Sequence, residues 1–592
     1  MSDVTAQAGT TVAAFAATLA DGRSGDVALR HKREGAWTES TYGDLHDRID
    51  AIARGFLALG LERGDRVSIL AETRPEWTVT SLAVTAAGLV VVPIYPSNSP
   101  EECAWVLGDA ASRVVVVENA QQAAKVRQVR DRLTQLEHVV VIDGEAGHDA
   151  DLTLADVISR GTSTSPDELR RRVDAVTPKD DYTIIYTSGT TGPPKGCVLS
   201  QGNYRAMLEI VREAELIESE DVVYLFLPLA HAMALLIQLS ALDRGVTVAY
   251  FGGDTTQIIP ELSEVRPTML PSVPRIFEKI YGMVTSAVDA PTLARAVEVG
   301  GQVEDLRLAG EPVPEDLQRA YDAFDEKLFS NVRNVFGGRV RRAVSGAAPI
   351  AAEVLQFFWA AGVPVLEGFG MTETSTAATL STPEHHRWGS VGRALPRVDL
   401  RIAEDGELLV RGPNVFGRYH GNPEATAESL VDGWLHTGDL GRIDDDGYLY
   451  IIGRKKDIII TAGGKNIAPA NLENDLKRSP WISNAVMYAD RRPYPVALVS
   501  LDAERLAAWA AEKGRTDASA SAAREDPEIL AHVQEAIDGA NASYARVEQV
   551  KRFAILDHEM SQETGELTPT SKIKRNVVYE KYADVLDGLY TE

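Results

Sequence analysis

Residues 40–116 alternate two textures. DLHDRIDAIARGFLALG carries apolar residues at helical spacing and stops at Gly60, whereas RVSILAE, GLVVVPIYP and SRVVVVEN are short apolar runs that read as strands. Such alternation predicts βα units around a largely parallel sheet. The style continues: TIIYTSG is a strand entering a loop, GNYRAMLEIVREAELI a helix, VVYLFLPL and VTVAYFG strands, with a further strand before SGAAP. From about Ser286 to Arg342 the chain is mostly helical and charged, a cover for the sheet. The longest apolar stretch, Leu82–Tyr95, is broken by Gly and Pro and falls short of the roughly 20 residues of a membrane span.

Near Asp399 the texture changes. DLRIAEDGELLVRGP and RIDDDGYLYIIGRKKDIIITAGG are strands joined by Asp-Gly turns, a hairpin signal. Two more strand-like runs, NAVMYA and PVALVSLD, follow Gly453. An Ala/Ser-rich piece at 515–524 reads as a loop or linker, and KIKRNVVYEKYADVLDGLY as a closing helix. No internal repeat is visible. A boundary near Arg454–Asp457 divides the chain into residues 1–455 and 456–592.

The length of 592 residues fits one large domain plus a smaller one. A hydrophobic share of 44% and a charged share of 25% are ordinary globular values. The net charge of −26 repels nucleic acid and anionic lipid, so neither is expected as a primary partner. Any anionic ligand must be met by local cations and backbone N–H groups. Cys103 and Cys197 make neither a disulfide framework nor a zinc motif and read as small core residues, as in a reducing cytoplasm. The first residues carry no basic stretch followed by an apolar run, so they do not read as a signal peptide.

The strongest chemical signal follows the strand TIIYTSG: Thr187, Ser188, Gly189, Thr190, Thr191, Gly192, Pro193, Pro194, Lys195, Gly196. Glycines let successive N–H groups converge on an anion, hydroxyls add donors or a metal ligand, and Lys195 adds charge. Pro194 before Lys195 and Gly196 after it exclude a Walker A loop. Further on come Glu367-Gly368-Phe369-Gly370-Met371-Thr372-Glu373, Ser345-Gly346-Ala347-Ala348-Pro349, and Trp434 to Asp439. The basic string Gly453-Arg454-Lys455-Lys456-Asp457 and the stretch Leu567 to Arg575 complete the set, with His231 in LPLAHA.

Together these strings, in this order, resemble the adenylate-forming superfamily, and within it bacterial long-chain acyl-CoA synthetases. The resemblance implies an α/β fold: a large N-terminal domain of βα-layered sheets with a small β-barrel-like portion, and a small mobile α+β C-terminal domain. It implies that residues 187–192 and Lys195 meet the phosphates of ATP. Gly346, Ala347 and Ala348 would line the adenine pocket, and Phe369 would stack on the ring where the family more often has Tyr. Thr372 would bond the α-phosphate, and Glu373 with Thr187 would hold Mg²⁺. Asp439 and Arg454 would take the ribose, Lys456 would be the hinge, and Lys572, in register ahead of Lys574, would reach carboxylate and α-phosphate. Lys572, Thr372 and His231 would be the catalytic residues, His231 at the pocket floor, with a core histidine as the alternative. The implied substrates are a fatty acid, ATP and coenzyme A. A carrier-protein acceptor and a medium-chain or aryl acid stay open, as do monomer and homodimer. A greasy substrate also implies loose peripheral membrane contact without an anchor.

Overall fold

The computed structural model describes residues 10–187, 193–285, 288–463 and 465–591. Its large N-terminal part contains two extended sheets. In the first, six parallel strands run in the order Val365–Phe369, Arg342–Ser345, Met269–Ser272, Val222–Leu225, Thr247–Tyr250, Val27–Arg33. Antiparallel strands flank them, Ala36–Thr41 at one edge, Thr379–Leu380 and Arg393–Ala394 at the other. The second has parallel strands in the order Asp181–Thr187, Val90–Ile94, Arg66–Leu70, Val114–Asn119, His138–Asp143, Leu152–Thr153. Lys195–Ser200 and Arg418–Tyr419 extend it antiparallel beyond Asp181–Thr187.

Two crossover helices explain how the sheets stack. Pro75–Ala86 and Ala232–Asp243 are buried on every face, the pattern of a helix enclosed rather than one lying on a surface. The first connects strands of the second sheet and the second connects strands of the first. They meet where Thr78 Oγ1 donates to Gln238 Oε1 at 2.6 Å, so a helical layer separates the sheets. Outer helices are set by local chemistry. Thr41 and Asp44 exchange side-chain and backbone bonds to start Tyr42–Ala58, and Gly60 at φ 78° ends its turn.

The expected β-barrel-like portion is a five-stranded antiparallel sheet. Asp399–Ile402 pairs with Glu407–Arg411, which pairs with Trp434–Ile443; Leu430–Val431 and Leu449–Arg454 share that long strand's other edge. Both Asp-Gly hairpins form as expected. VVYLFLPL is strand only over Val222–Leu225, since Pro228 cannot donate to a ladder.

The apolar core changes between Leu449 and Ile459. The main cluster runs from Val12 to Leu449, while two separate clusters occupy Ile459–Ile555 and Val486–Leu586. The C-terminal part wraps helices around the three-stranded sheet Ile482–Tyr488, Val496–Leu501 and Arg552–Ile555. Residues 515–524 differ from the linker expected. Ser519 caps a short helix, Ala520–Ala523, whose Ala520 and Ala523 are buried in this core, and Arg515 pairs with Asp526 at 2.6 Å to close the segment. The closing helix is two, Arg575–Lys581 and Ala583–Gly588, broken at Tyr582. Among the described residues no helix is long and apolar enough to cross a membrane.

Candidate active site

The carboxyl ends of the parallel strands collect Thr187, His231, the 346–348 segment and the turn with Glu373, the usual place for ligands in open α/β sheets. Thr187 ends its strand opposite Lys195, and its hydroxyl donates to the Lys195 carbonyl at 3.4 Å. Ser188, Gly189, Thr190, Thr191 and Gly192 lie outside the described residues. The Lys195 ammonium lies 5.3 Å from the centre of the Tyr419 ring. The Tyr419 hydroxyl in turn donates to Glu373 Oε1 at 2.6 Å.

Glu373 is buried in a tight turn, Thr372–Thr374. Asn414 clamps that turn by donating to the carbonyls of Thr374 (3.1 Å) and Ala377 (2.8 Å), and Ser375 at φ 50° bends away from it. Gly370 is dictated by space, because a Cβ there would meet the Thr376 carbonyl oxygen at 1.9 Å; on Gly368 it would lie 3.0 Å from the Thr379 carbonyl. Phe369 and Met371 are half-buried beside this turn. Across from them Gly346 is half-buried, Ala347 and Ala348 face solvent, Ala347 has φ 69°, and the buried Ser345 hydroxyl has no partner. Glu367 is buried on the adjacent strand and accepts from the Ile350 N–H; burial pushes its carboxyl up to about 8.

His231 caps the helix Ala232–Asp243, its Nδ1 accepting from Met233 N at 3.3 Å. Burial first, then the positive Lys572, pushes its pKa down to about 4, so the ring is neutral at physiological pH. Asp439 is also buried. Its Oδ1 accepts from Arg454 Nε at 3.0 Å, a contact made because the two residues are direct neighbours on paired strands. Burial raises the Asp439 pKa, while Arg454 and Lys572 oppose that rise.

Lys572 comes from the C-terminal part. A short turn presents it: Thr568 N donates to the Lys572 carbonyl at 2.8 Å, Lys572 N to Thr568 Oγ1 at 3.0 Å, and Leu567 bridges Ile573. The Lys572 side chain is solvent-exposed at this turn. Desolvation and then Arg454 lower its pKa, while Asp439 and Glu373 support its charge. Lys572, rather than Lys574, therefore shares one electrostatic field with His231, Glu373, Asp439 and Arg454. The C-terminal part is held there by polar contacts: Lys279 to Glu504 (2.7 Å), Arg275 to Glu559 (3.6 Å), and Gln562 Nε2 to the Ser97 carbonyl (3.2 Å). Lys456 is exposed in the turn Lys455–Asp457, whereas Lys455 pairs with Asp405 at 2.5 Å and Glu407 at 3.3 Å.

No group of three or more His, Cys, Asp or Glu residues could hold a metal among the described residues. The buried Glu373 is a hard-oxygen donor of the kind that suits Mg²⁺, which keeps waters and takes substrate phosphates as ligands, while the Thr187 hydroxyl is turned to the Lys195 carbonyl. Three features escaped sequence reasoning: Tyr419 on Glu373, the ion pair of Arg575 with Glu473, and Trp105 at Pro194. Each joins segments far apart in the chain, and no local pattern marks them.

The two parallel sheets, the small C-terminal part and the cleft between them define an adenylate-forming enzyme. The chain belongs to the AMP-binding enzyme family: that family's model matches residues 17–420, and the AMP-binding enzyme C-terminal domain matches residues 456–592. A curated relative, the long-chain-fatty-acid–CoA ligase FadD15 of Mycobacterium tuberculosis, is 39% identical over 94% of this chain and 93% of its own. The long-chain-fatty-acid–CoA ligase ACSBG2 of Xenopus laevis is 32% identical over 96% of this chain and 82% of its own. In fold, the adenylation domain of a carboxylate reductase from Mycobacterium chelonae superposes with a TM-score of 0.75 at 22% identity, over 99% of this chain and 92% of that one.

Proposed function

We propose that this protein activates a long-chain fatty acid with ATP and transfers the acyl group to coenzyme A. The observation that carries the reading is the convergence of Lys572, from the C-terminal part, on the cleft holding Glu373, Asp439, Arg454 and His231. A carboxylate oxygen attacks the α-phosphorus of ATP, a P–O bond breaks, and pyrophosphate leaves; the product is an acyl-adenylate. Negative charge accumulates at phosphorus in that step, so fixed cations stabilise the transition state more than the ground state. Lys572 supplies one at the α-phosphate, and Lys195 another at the departing pyrophosphate. Asp439 and Arg454 hold the ribose, Phe369 and the Gly346–Ala348 segment the adenine, and Thr372 the α-phosphate, which together orient the reactants. Glu373 and Thr187 would hold Mg²⁺, which supplies charge neutralisation between the phosphates when bound.

In the second step the coenzyme A sulfur attacks the acyl carbonyl, AMP leaves, and the thiol proton is released. Lys572 occupies the approach to that carbonyl, so the part comprising residues 456–592 turns about Lys456 relative to residues 1–455. Polar rather than apolar contacts between the two parts suit such an exchange. His231, neutral and with its Nδ1 already accepting, acts as a shaped wall of the pocket. We place the reaction in the cytoplasm, with peripheral contact to membranes that hold the substrate.

The test mixes protein, ATP and Mg²⁺ with fatty acids of graded length, with and without coenzyme A, and measures pyrophosphate, AMP and thioester. The reading expects AMP and coenzyme-A-dependent thioester, best with long chains. Pyrophosphate with a trapped acyl-adenylate but no thioester would point to a carrier-protein acceptor. No pyrophosphate with any fatty acid would overturn the reading.

A further inference from the structure

The hairpin that carries Thr187 and Lys195 is gripped from outside by one helix, Pro100–Asp109. That helix is locally well defined: Ser99 and Glu102 form a reciprocal cap and Pro100 occupies the first turn. Cys103, Ala104, Val106 and Leu107 turn into the core. Trp105 does not. It is 41% exposed, the one tryptophan among the exposed large apolar side chains of the described residues. Apolar burial therefore does not account for it.

Its contact does. Trp105 Nε1 donates to the Pro194 carbonyl at 3.0 Å, one residue before Lys195. Four residues on, on the same helix face, Asp109 accepts from the Tyr186 hydroxyl at 2.6 Å, one residue before Thr187. The helix thus holds the chain one residue before the end of the incoming strand and one residue before the start of the outgoing one. A third tie closes the arrangement: His420 N donates to the Gly196 carbonyl at 2.7 Å, and its ring Nε2 lies 3.1 Å from the Asp109 carbonyl. Of these, only Trp105 acts on the segment immediately preceding Lys195.

We propose that Trp105 is a positioning residue for the ATP-facing hairpin, holding Lys195 in the register that meets the β- and γ-phosphates. The inference rests on the reading of Thr187–Lys195 as that hairpin. Losing one neutral hydrogen bond of this kind changes an affinity by about two- to twelvefold. Trp105→Phe removes the donor and keeps an aromatic ring. Trp105→His restores a ring N–H, since Nε2 of histidine stands as many bonds from Cβ as Nε1 of tryptophan.

The experiment measures ATP–pyrophosphate exchange in the full chain, varying ATP at saturating fatty acid and then fatty acid at saturating ATP, for W105F, W105H and Lys195→Ala, together with Tm. W105F should raise KM for ATP about three- to tenfold, leave KM for the fatty acid within about twofold, and leave Tm unchanged; W105H should recover most of the ATP affinity. Unchanged ATP affinity in W105F alongside a large rise in K195A would overturn the role of Trp105 while keeping the hairpin reading. Unchanged ATP affinity in K195A would sink that reading, and Trp105 with it. A rise in both KM values, or a lowered Tm, would make Trp105 a general structural residue and also overturn the inference.

Discussion

Glu473→Ala should damage both the stability of the C-terminal part and the first half-reaction. Arg575 stands three residues after Lys572 and forms a two-pronged ion pair with Glu473, at 2.6 and 2.8 Å. The two side chains are only 13% and 6% exposed. Glu473 Oε1 also accepts from Met487 N at 2.7 Å, and Tyr579 donates to the Met487 carbonyl at 2.6 Å. Truncating Glu473 therefore strands a buried guanidinium and a buried N–H together. Breaking a buried pair costs about 3–5 kcal/mol, and the orphaned donor adds about 1–3 kcal/mol. Replacing both partners by apolar residues, as in E473L/R575M, leaves only the Met487 N–H without its acceptor. The double variant should then be at least about 3 kcal/mol more stable than the sum of the single changes allows. Urea denaturation of wild type, E473L, R575M and E473L/R575M measures this coupling, and ATP–pyrophosphate exchange should fall in E473A as the Lys572 turn loses its anchor. Additive single and double changes, or a cost in E473A below about 1 kcal/mol, would refute the view that this pair mounts Lys572.

Two further outcomes follow from the site. Tyr419→Phe removes the donor to Glu373 and should raise the Mg²⁺ concentration for half-maximal adenylation about tenfold, read by magnesium titration of the exchange rate; an unchanged titration would contradict Tyr419 as the support of Glu373. Glu367, with its folded pKa pushed up to about 8, holds a proton in the folded state that the unfolded chain has released. Its contribution is therefore fully present below its ordinary range and is lost as pH rises toward 8, by about 1.4 kcal/mol per unit. Wild type should lose stability relative to Glu367→Gln from roughly pH 5 to pH 8, and parallel stability curves across that window would contradict it.

Much of the body was legible because its signals are contiguous. Fully apolar strands and Gly-ended helices read directly from spacing, whereas the strings around Lys195, Thr372 and Asp439 were picked out by their resemblance to a family. The Asp439–Arg454 contact was half-visible, since both residues flank one Asp-Gly hairpin and pair across it. What stayed hidden depends on register between distant segments. Tyr419 reaches Glu373 across 46 residues, and Arg575 reaches Glu473 across 102; neither has a local pattern of its own. Composition misled at 515–524, where alanines that suggest a linker are small because Ala520 and Ala523 must fit a core. Lys572 was preferred to Lys574 by register alone, and the turn that carries it, closed by Thr568 on the Lys572 backbone, was not legible.

The central claim is that Lys572 serves the first half-reaction and not the second. Lys572→Ala should be assayed twice in the same preparation, once for pyrophosphate release from ATP and fatty acid, once for thioester formation from supplied acyl-adenylate and coenzyme A. The first reaction should fall by at least about a hundredfold, the scale of removing one fixed transition-state charge, with the second within a few-fold of wild type. Equal loss in both steps, or no loss in the first, would contradict it.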